Sequence, residues 1–231
     1  MKPWPVKPKT PTLFFIVALG ELLAIAMGLE GLQLVCKPLI MPALGAYYFA
    51  ASKEGGHLAR PVVAAILFSW IGDVCLMFQD NNEMYFVAGL GAFLIAQLCY
   101  IKAYSLHAQK KEGTGLHGVQ KFRFSLPVVL AGTGLVTILY PHLGAFKIPV
   151  LLYALVLTVM VLQALFRYGH TNTPSFWFVF LGALLFMVSD SLIAVNKFLS
   201  PFGLAGLSIT ATYILAQFLI ASGLRLHFRN L

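Results

Sequence analysis

The sequence predicts an all-α, polytopic membrane protein built as a bundle of eight transmembrane helices. Of its 231 residues, 59% are hydrophobic and only 10% are charged, and the mean hydropathy is +0.84. A soluble domain carries roughly 25% charged residues, so this chain lacks the polar surface that it would need in water. Its apolar runs are continuous and do not alternate with polar residues, which argues against a transmembrane β-barrel.

Eight apolar runs are long enough to cross a hydrocarbon core of roughly 30 Å, which takes about 20 helical residues. They cover about 12–29, 33–51, 60–78, 84–104, 125–141, 147–166, 175–195 and 204–224. The first follows a basic, proline-rich start without a clean cleavage site, so we expect an uncleaved first helix. Polar or helix-breaking residues separate the later runs, and the longest such stretch is Ser105 to Arg123. We therefore expect a single transmembrane domain over residues 1–231.

Basic residues are unevenly shared between the two ends of these runs. With eight spans both termini lie on one side, and the segments on that side hold thirteen of the sixteen Lys and Arg residues. The opposite side holds Lys37, Lys147 and Lys197. Because basic loops stay in the cytoplasm, we predict cytoplasmic termini, with the protein in a bacterial inner membrane. This bias accounts for the formal charge of +8, and nucleic acid is not expected as a partner.

Five charged residues fall inside or at the ends of the apolar runs, namely Glu21, Lys37, Asp73, Asp190 and Lys197. A charge near the bilayer centre costs about 2.5–3.5 kcal/mol, so such residues usually have a role. Counting from the span ends at about 1.5 Å per residue places all five in the outer half of the membrane. Structural ion pairs are one explanation, and a functional pocket at that depth is the favoured one.

Two buried carboxyl groups at one depth supply an acid and a base without a metal, because burial and mutual repulsion keep one of them protonated. The sequence has no HxxxH or HExxH motif, and its histidines lie in loops or at span ends. Neither a metal nor a cofactor is therefore expected. Ser69, Ser189 and Ser191 are interpreted as helix-packing residues or as hydrogen-bond donors to the carboxylates.

The third and fourth runs faintly repeat in the seventh and eighth. Gly72-Asp73 is followed later by Ala96-Gln97, and Ser189-Asp190 is followed later by Ala216-Gln217. Four spans separate the two copies, as in a parallel repeat, so each half would contribute one aspartate to a shared interface. We interpret the two glutamines as interhelical hydrogen-bond partners before ligand contacts.

These motifs resemble the YhhN-like lysoplasmalogenases. The matching segments are Lys37-Pro38-Leu39, Gly72-Asp73-Val74-Cys75-Leu76, Ser189-Asp190-Ser191-Leu192-Ile193-Ala194-Val195-Asn196-Lys197-Phe198 and Tyr213-Ile214-Leu215-Ala216-Gln217. The resemblance covers spans two to eight and implies eight spans. It also implies cleavage of the vinyl-ether bond of lysoplasmalogens to a fatty aldehyde and glycerophospho-ethanolamine or -choline. Asp73 and Asp190 match the family's expected catalytic pair.

The implied chemistry suits the residues. Hydrolysis of a vinyl ether begins with protonation of its double bond and forms an oxocarbenium ion, which needs a protonated acid and an ionised partner. The sequence does not assign these two roles, although Asn196 and Lys197 beside Asp190 favour Asp190 as the ionised group and Asp73 as the acid. The expected partners are a lysophospholipid in the bilayer and water. The expected substrate-binding residues are Lys37, Asn196, Lys197, Glu21 and Tyr213.

Two other functions remain open from the sequence. Intramembrane carboxylates also serve as proton relays in transporters, so a proton-coupled carrier is the main alternative. A structural or signalling membrane protein is the third hypothesis, and it predicts that both aspartates tolerate substitution. Tyr85, Tyr153 and Tyr213 are expected at the entrance of the site or as interfacial anchors.

Overall fold

The computed structural model describes residues 11–55, 59–108 and 115–228, with side chains up to residue 50 in the first range. Across these ranges every regular element is helical and no strand occurs, so the predicted all-α fold is confirmed. The topology prediction also drew on three segments that lie outside the described residues or side chains. They are the basic amino-terminal residues, the Ser52–Gly56 connection, of which only the helical backbone up to Gly55 is described, and Lys110 and Lys111 of the long polar loop.

Eight α-helices follow the eight predicted runs in order. They are α1 Thr12–Met27, α2 Glu30–Gly55, α3 Arg60–Met77, α4 Glu83–Leu106, α5 Gly118–Leu139, α6 Lys147–Leu165, α7 Thr173–Phe198 and α8 Ala205–Phe228. Two short 3-10 turns connect α5 to α6. Helices α3 to α8 are long and apolar enough to cross a membrane, which makes the chain a multi-pass membrane protein. The count of eight crossings stays a prediction, because α1 has 16 residues and α2 contains two prolines and several charges.

Several helices extend beyond the predicted apolar runs, and two of these differences change the depth of a lysine. Only Gly28 and Leu29 separate α1 from α2, because Gly28 ends α1 with a φ of 66°, a left-handed conformation that glycine adopts without steric cost. Lys37 therefore lies about two turns inside α2 and not one. Helix α7 continues to Phe198, so Lys197 lies in its last turn and not beyond it.

The helices pack as antiparallel pairs, of which α3 with α4 and α7 with α8 are the most extensive. Small residues permit the close approach, as is usual inside membranes. A Cβ atom on Gly182 would lie 2.9 Å from the carbonyl oxygen of Ala216, and one on Gly72 would lie 2.6 Å from the Phe93 ring. The two pairs therefore form the centre of the bundle.

Polar contacts close the bundle at the end opposite to the carboxyl ends of α3 and α7. Arg167 is 1% exposed and donates hydrogen bonds to the carbonyl oxygen of His107, after α4, and to the hydroxyl of Ser175, in α7. Ser175 in turn donates to the carbonyl oxygen of Gly223 in α8 at 2.6 Å. Burial lowers the pKa of His107 to about 4, so this residue is neutral at physiological pH. These bonds join the ends of four helices, because Arg167 itself follows α6.

Candidate active site

Asp73 and Asp190 line one cavity near the carboxyl ends of α3 and α7. Asp73 lies four residues before the end of α3 and Asp190 eight residues before the end of α7. The cavity has a volume of about 50 Å³, and Lys37 and Tyr213 also line it. Asp73 is 5% exposed, whereas Asp190 is only partly buried. The structure therefore brings together two acidic side chains that are 117 positions apart in the sequence.

Asp73 is held by a tyrosine from α8 and lies near a cation from α2. The hydroxyl of Tyr213 donates a hydrogen bond to Oδ2 of Asp73 at 2.9 Å. Lys37 and Glu21 both lie within electrostatic range of this carboxyl group. Tyr213, a residue predicted for substrate binding, thus contacts the candidate catalytic carboxyl group directly.

Asp190 is held by two donors that reach the same oxygen. The hydroxyl of Tyr153, in α6, donates to Oδ2 at 2.5 Å, and Nε2 of Gln97, in α4, donates to it at 3.4 Å. The sequence placed Tyr153 only at an entrance or an interface, and the structure buries it. The sequence feature that could have indicated this role is the depth of Tyr153, because it is the first polar side chain after Lys147 in a largely apolar run.

A hydrogen-bond network supports the site one helical turn deeper. The hydroxyl of Tyr100 donates to Oε1 of Gln217 at 2.5 Å, and Nε2 of Gln217 donates to Oγ of Ser69 at 3.0 Å. Gln217 thus joins α8 to α4 and α3, which agrees with its interpretation as an interhelical partner. Ser189 donates to the carbonyl oxygen of Ile209 in α8, so it acts in helix packing and not as a donor to a carboxylate.

The weak sequence repeat corresponds to a reciprocal arrangement of the two helix pairs. Phe93 and Gln97 in α4 have the same spacing as Tyr213 and Gln217 in α8. Gln97 donates to the aspartate of α7, and Tyr213 donates to the aspartate of α3. Each pair therefore supplies a donor to the aspartate of the other pair. The two halves differ at Phe93, which has no hydroxyl, and Tyr153 from α6 fills that role for Asp190.

The two outer lysines lie at the polar side of this cavity. Lys37 and Lys197 line a second, adjoining cavity of about 180 Å³ with Gln79 and Asn196. Among the described side chains neither lysine lies within 4.0 Å of a carboxylate oxygen, so the structural ion pairs of the alternative explanation are not formed. Nζ of Lys197 lies 5.1 Å from the centre of the Phe86 ring. The two ammonium groups are thus available for an anion.

A third cavity on the other side of Asp190 is apolar. Its volume is about 50 Å³, and Leu90, Val150 and Phe198 line it together with Tyr153 and Asp190. Leu76 and Ile193 line all three cavities, which therefore lie next to one another. The result is a tract that runs from two lysines, past two carboxyl groups, into an apolar chamber.

Of the predicted substrate-binding residues, Glu21 lies apart from the three cavities, and Asn196 has a second role besides lining one of them. Glu21 is fully buried with both carboxyl oxygens lacking a hydrogen-bond partner. It lies within electrostatic range of Lys37 and is not among the residues that line these three cavities. Oδ1 of Asn196 accepts a hydrogen bond from the backbone N–H of Phe202 at 3.3 Å, so this side chain also orders the connection to α8.

Sequence comparison decides the family, because the model of the YhhN family matches residues 32–224. The chain belongs to the YhhN family. The match begins after α1 and therefore leaves out Glu21, whereas it includes both aspartates. No solved structure matches the chain.

Curated relatives of this YhhN protein occur in bacteria and mammals. It is 32% identical over 176 residues to the lysoplasmalogenase of Mycobacterium bovis, an alignment that covers 75% of this chain and 64% of the relative. It is 33% identical to lysoplasmalogenase TMEM86B of Sus scrofa, over 83% of this chain and 74% of the relative. It is 31% identical to the human lysoplasmalogenase TMEM86A, over 75% and 70% of the two chains. The chain thus spans about two thirds of the length of the mycobacterial relatives.

Proposed function

We propose that this YhhN protein is a membrane hydrolase that cleaves the vinyl-ether bond of lysoplasmalogens. The observation that carries the proposal is the pair Asp73 and Asp190 in one cavity, between a lysine-lined mouth and an apolar chamber. The names of the curated relatives support the same activity. They give no support to the proton-coupled carrier that the sequence left open.

The order of the three cavities fits the order of groups in a lysophospholipid. The phosphate binds between Lys37 and Lys197, where Asn196 and Gln79 supply further polar groups. The glycerol and the vinyl ether lie beside the two aspartates. The hydrocarbon chain enters the apolar chamber, where burial of its methylene groups contributes about 0.8 kcal/mol each.

The two carboxyl groups perform the chemistry as an acid and a base. One protonates the carbon–carbon double bond, and the other stabilises the oxocarbenium ion and directs water toward it. The resulting hemiacetal breaks down to a fatty aldehyde and a glycerophospho-ethanolamine or -choline. The apolar helices around the cavity strengthen these electrostatic interactions, because they exclude bulk water.

The test of this function is a comparison of two substrates that differ in one bond. We expect the purified protein to release aldehyde from a lysoplasmalogen and to leave the saturated ether analogue intact, because an alkyl ether has no double bond to protonate. Mass spectrometry of both products measures the result. Cleavage of the saturated analogue at a similar rate, or flux across proteoliposomes without product, would contradict the proposal.

Removal of either lysine should weaken substrate binding more than catalysis. A charge-assisted hydrogen bond contributes about 1.5–3 kcal/mol, so Lys37→Met or Lys197→Met should raise KM about tenfold or more. We expect kcat to change less in Lys197→Met than in Lys37→Met, because the ammonium group of Lys197 lies over Phe86, whereas Lys37 acts on Asp73. Lys147→Met is the matched control, since Lys147 contacts the Tyr140 ring. Equal KM values for Lys197→Met and Lys147→Met would contradict the phosphate site.

We also propose that both termini lie in the cytoplasm, with a single transmembrane domain in a bacterial inner membrane. The support is the excess of Lys and Arg on one side of the helices. A single cysteine engineered at Thr171, between α6 and α7, should resist a membrane-impermeant thiol reagent in intact cells, after the native cysteines are replaced. A cysteine at Asp80, between α3 and α4, should react. The reverse labelling pattern would overturn the orientation.

A further inference from the structure

The two candidate catalytic carboxyl groups have different surroundings along the cavity tract. Asp73 lines the central cavity, which it shares with Lys37. Asp190 lines that cavity and also the apolar chamber. Asp190 therefore stands at the boundary between the polar and the apolar part of the tract, whereas Asp73 faces the polar part.

The two ends of the vinyl ether differ chemically, so its orientation along the three cavities matters. Its atoms run from the glycerol oxygen through C1 to C2 and on into the hydrocarbon chain. The proton is added to C2, on the chain side, while positive charge develops on C1 and the oxygen, on the headgroup side. A substrate with its chain in the apolar chamber thus presents C2 toward that chamber and the nascent cation toward the polar cavity.

The geometry points to a fixed division of labour, in which Asp190 donates the proton to C2 and Asp73 is the anion that faces the oxocarbenium ion. This inference rests on the proposed vinyl-ether hydrolysis. It reverses the assignment that Asn196 and Lys197 favour from sequence alone. Those two neighbours line the outer mouth, and Lys197 contacts the Phe86 ring and not the carboxyl group of Asp190.

The charges around Asp190, and not its hydrogen bonds, suit a proton donor. Tyr153 and Gln97 both donate to Oδ2, as Tyr213 does to Asp73, so Oδ2 is the carbonyl oxygen when Asp190 is protonated. Oδ1 is then the hydroxyl oxygen that releases the proton. Among the residues that the structure describes, no lysine or arginine acts on Asp190 electrostatically, so none of them favours its ionised form by charge.

The contacts of Asp73 suit an anion. Its surrounding charged and titratable groups come from four helices: Lys37 from α2, Tyr213 from α8, Glu21 from α1 and Asp190 from α7. The ammonium group of Lys37 is the cation of this set, and the hydroxyl of Tyr213 donates to Oδ2. A hydrogen bond of this kind is common to both aspartates, so the nearby positive charge of Lys37 is what favours Asp73 as the carboxylate.

Protons and bonds balance over one turnover. Asp190 gives its proton to C2, and water adds to C1 while Asp73 takes a proton from that water. The hemiacetal hydroxyl then returns a proton to Asp190 as the carbonyl group forms. Asp73 passes its proton to the glycerol oxygen as the C1–O bond breaks. Both carboxyl groups regain their starting states, and one water is consumed for each aldehyde released.

A cationic analogue tests the position of the anion without catalysis. In this lysolipid analogue CH2 replaces the ether oxygen and a protonated amine nitrogen replaces C1, and an all-carbon analogue is the neutral control. We expect Asp73→Asn to weaken binding of the cationic analogue about 10- to 100-fold, Asp190→Asn to change it less than threefold, and neither to affect the neutral analogue. The opposite pattern, or equal losses, overturns the division of labour.

A second measurement uses the residual activity of Asp73→Asn. An ionised Asp73 and a protonated Asp190 produce a bell-shaped dependence of kcat/KM on pH in the unaltered protein. Asp73→Asn should remove the acidic limb and keep the alkaline limb, and loss of the alkaline limb instead overturns the assignment. If Asp73→Asn no longer binds the neutral analogue, the variant is misfolded, and Asp73→Ser is then measured in its place. Absence of aldehyde release by the unaltered protein is a separate result, which contradicts the proposed function itself.

Discussion

Asp190→Asn and Asp73→Asn are each expected to slow aldehyde release from a lysoplasmalogen by about 10²–10⁴-fold, the usual contribution of a positioned acid or base. Asparagine preserves the size of the side chain and can still accept from Tyr153 or Tyr213. It can neither donate a carboxylic proton nor carry a negative charge. Rates of aldehyde release measured with purified protein at saturating substrate test this expectation.

The matched control for both variants is Asp80→Asn. Asp80 is an exposed carboxyl group in the connection between α3 and α4, close to the same end of the bundle but outside the three cavities. Its replacement should leave the rate within about twofold of the unaltered protein. Full activity of either Asp73→Asn or Asp190→Asn would exclude catalysis by two carboxyl groups.

Gly182→Val should give the largest loss of stability, because α7 and α8 meet there backbone to backbone. A Cβ atom on Gly182 would lie 2.9 Å from both the carbonyl oxygen of Ala216 and the amide nitrogen of Ile220. Neither atom can rotate away, so the helices must separate. Overpacking of this kind costs about 1–3 kcal/mol, and unfolding in mixed detergent micelles measures the change in the free energy of unfolding.

Gly91→Ala is the comparison for this effect. Gly91 also lies inside a helix, but nothing lies within 4 Å of a Cβ atom built on it. Alanine is the better helix former by roughly 1 kcal/mol, so Gly91→Ala should be neutral or slightly stabilising. If Gly182→Val were as stable as Gly91→Ala, the close approach of α7 and α8 would be refuted. A separation of α7 from α8 would also displace Asp190 from Tyr213 and the rest of the α8 side of the cavity.

Repeated use of the same chemistry in the two helix pairs explains how an apolar bundle holds such polar groups. Each aspartate receives a hydrogen bond from the opposite pair, through Gln97 for one and Tyr213 for the other. An unpartnered polar group buried in an apolar environment costs several kcal/mol. The hydrogen bonds that order the carboxyl groups thus also join the two halves of the protein.

The amino-acid sequence by itself determined the fold class and the order of the helices, and it identified the two aspartates as candidate catalytic residues. Long apolar runs allow few structures other than helices in lipid, where every backbone polar group must be satisfied internally. A charge inside such a run is costly and therefore easily recognised as a candidate. Helix ends were less certain, as Lys37 and Lys197 show, because a single left-handed Gly28 or one further turn of α7 changes the depth of a side chain.

Only the tertiary structure decided which side chains surround the carboxyl groups. Tyr153 and Asp190 are separated by 37 residues, Gln97 and Asp190 by 93, and Tyr213 and Asp73 by 140. Helix pairing in a membrane depends on close packing and on interhelical hydrogen bonds, and neither leaves a local pattern in an apolar run. The adjacent positions of the lysine-lined mouth, the carboxyl groups and the apolar chamber arise from that pairing, because residues of α2, α3, α4, α6, α7 and α8 meet there.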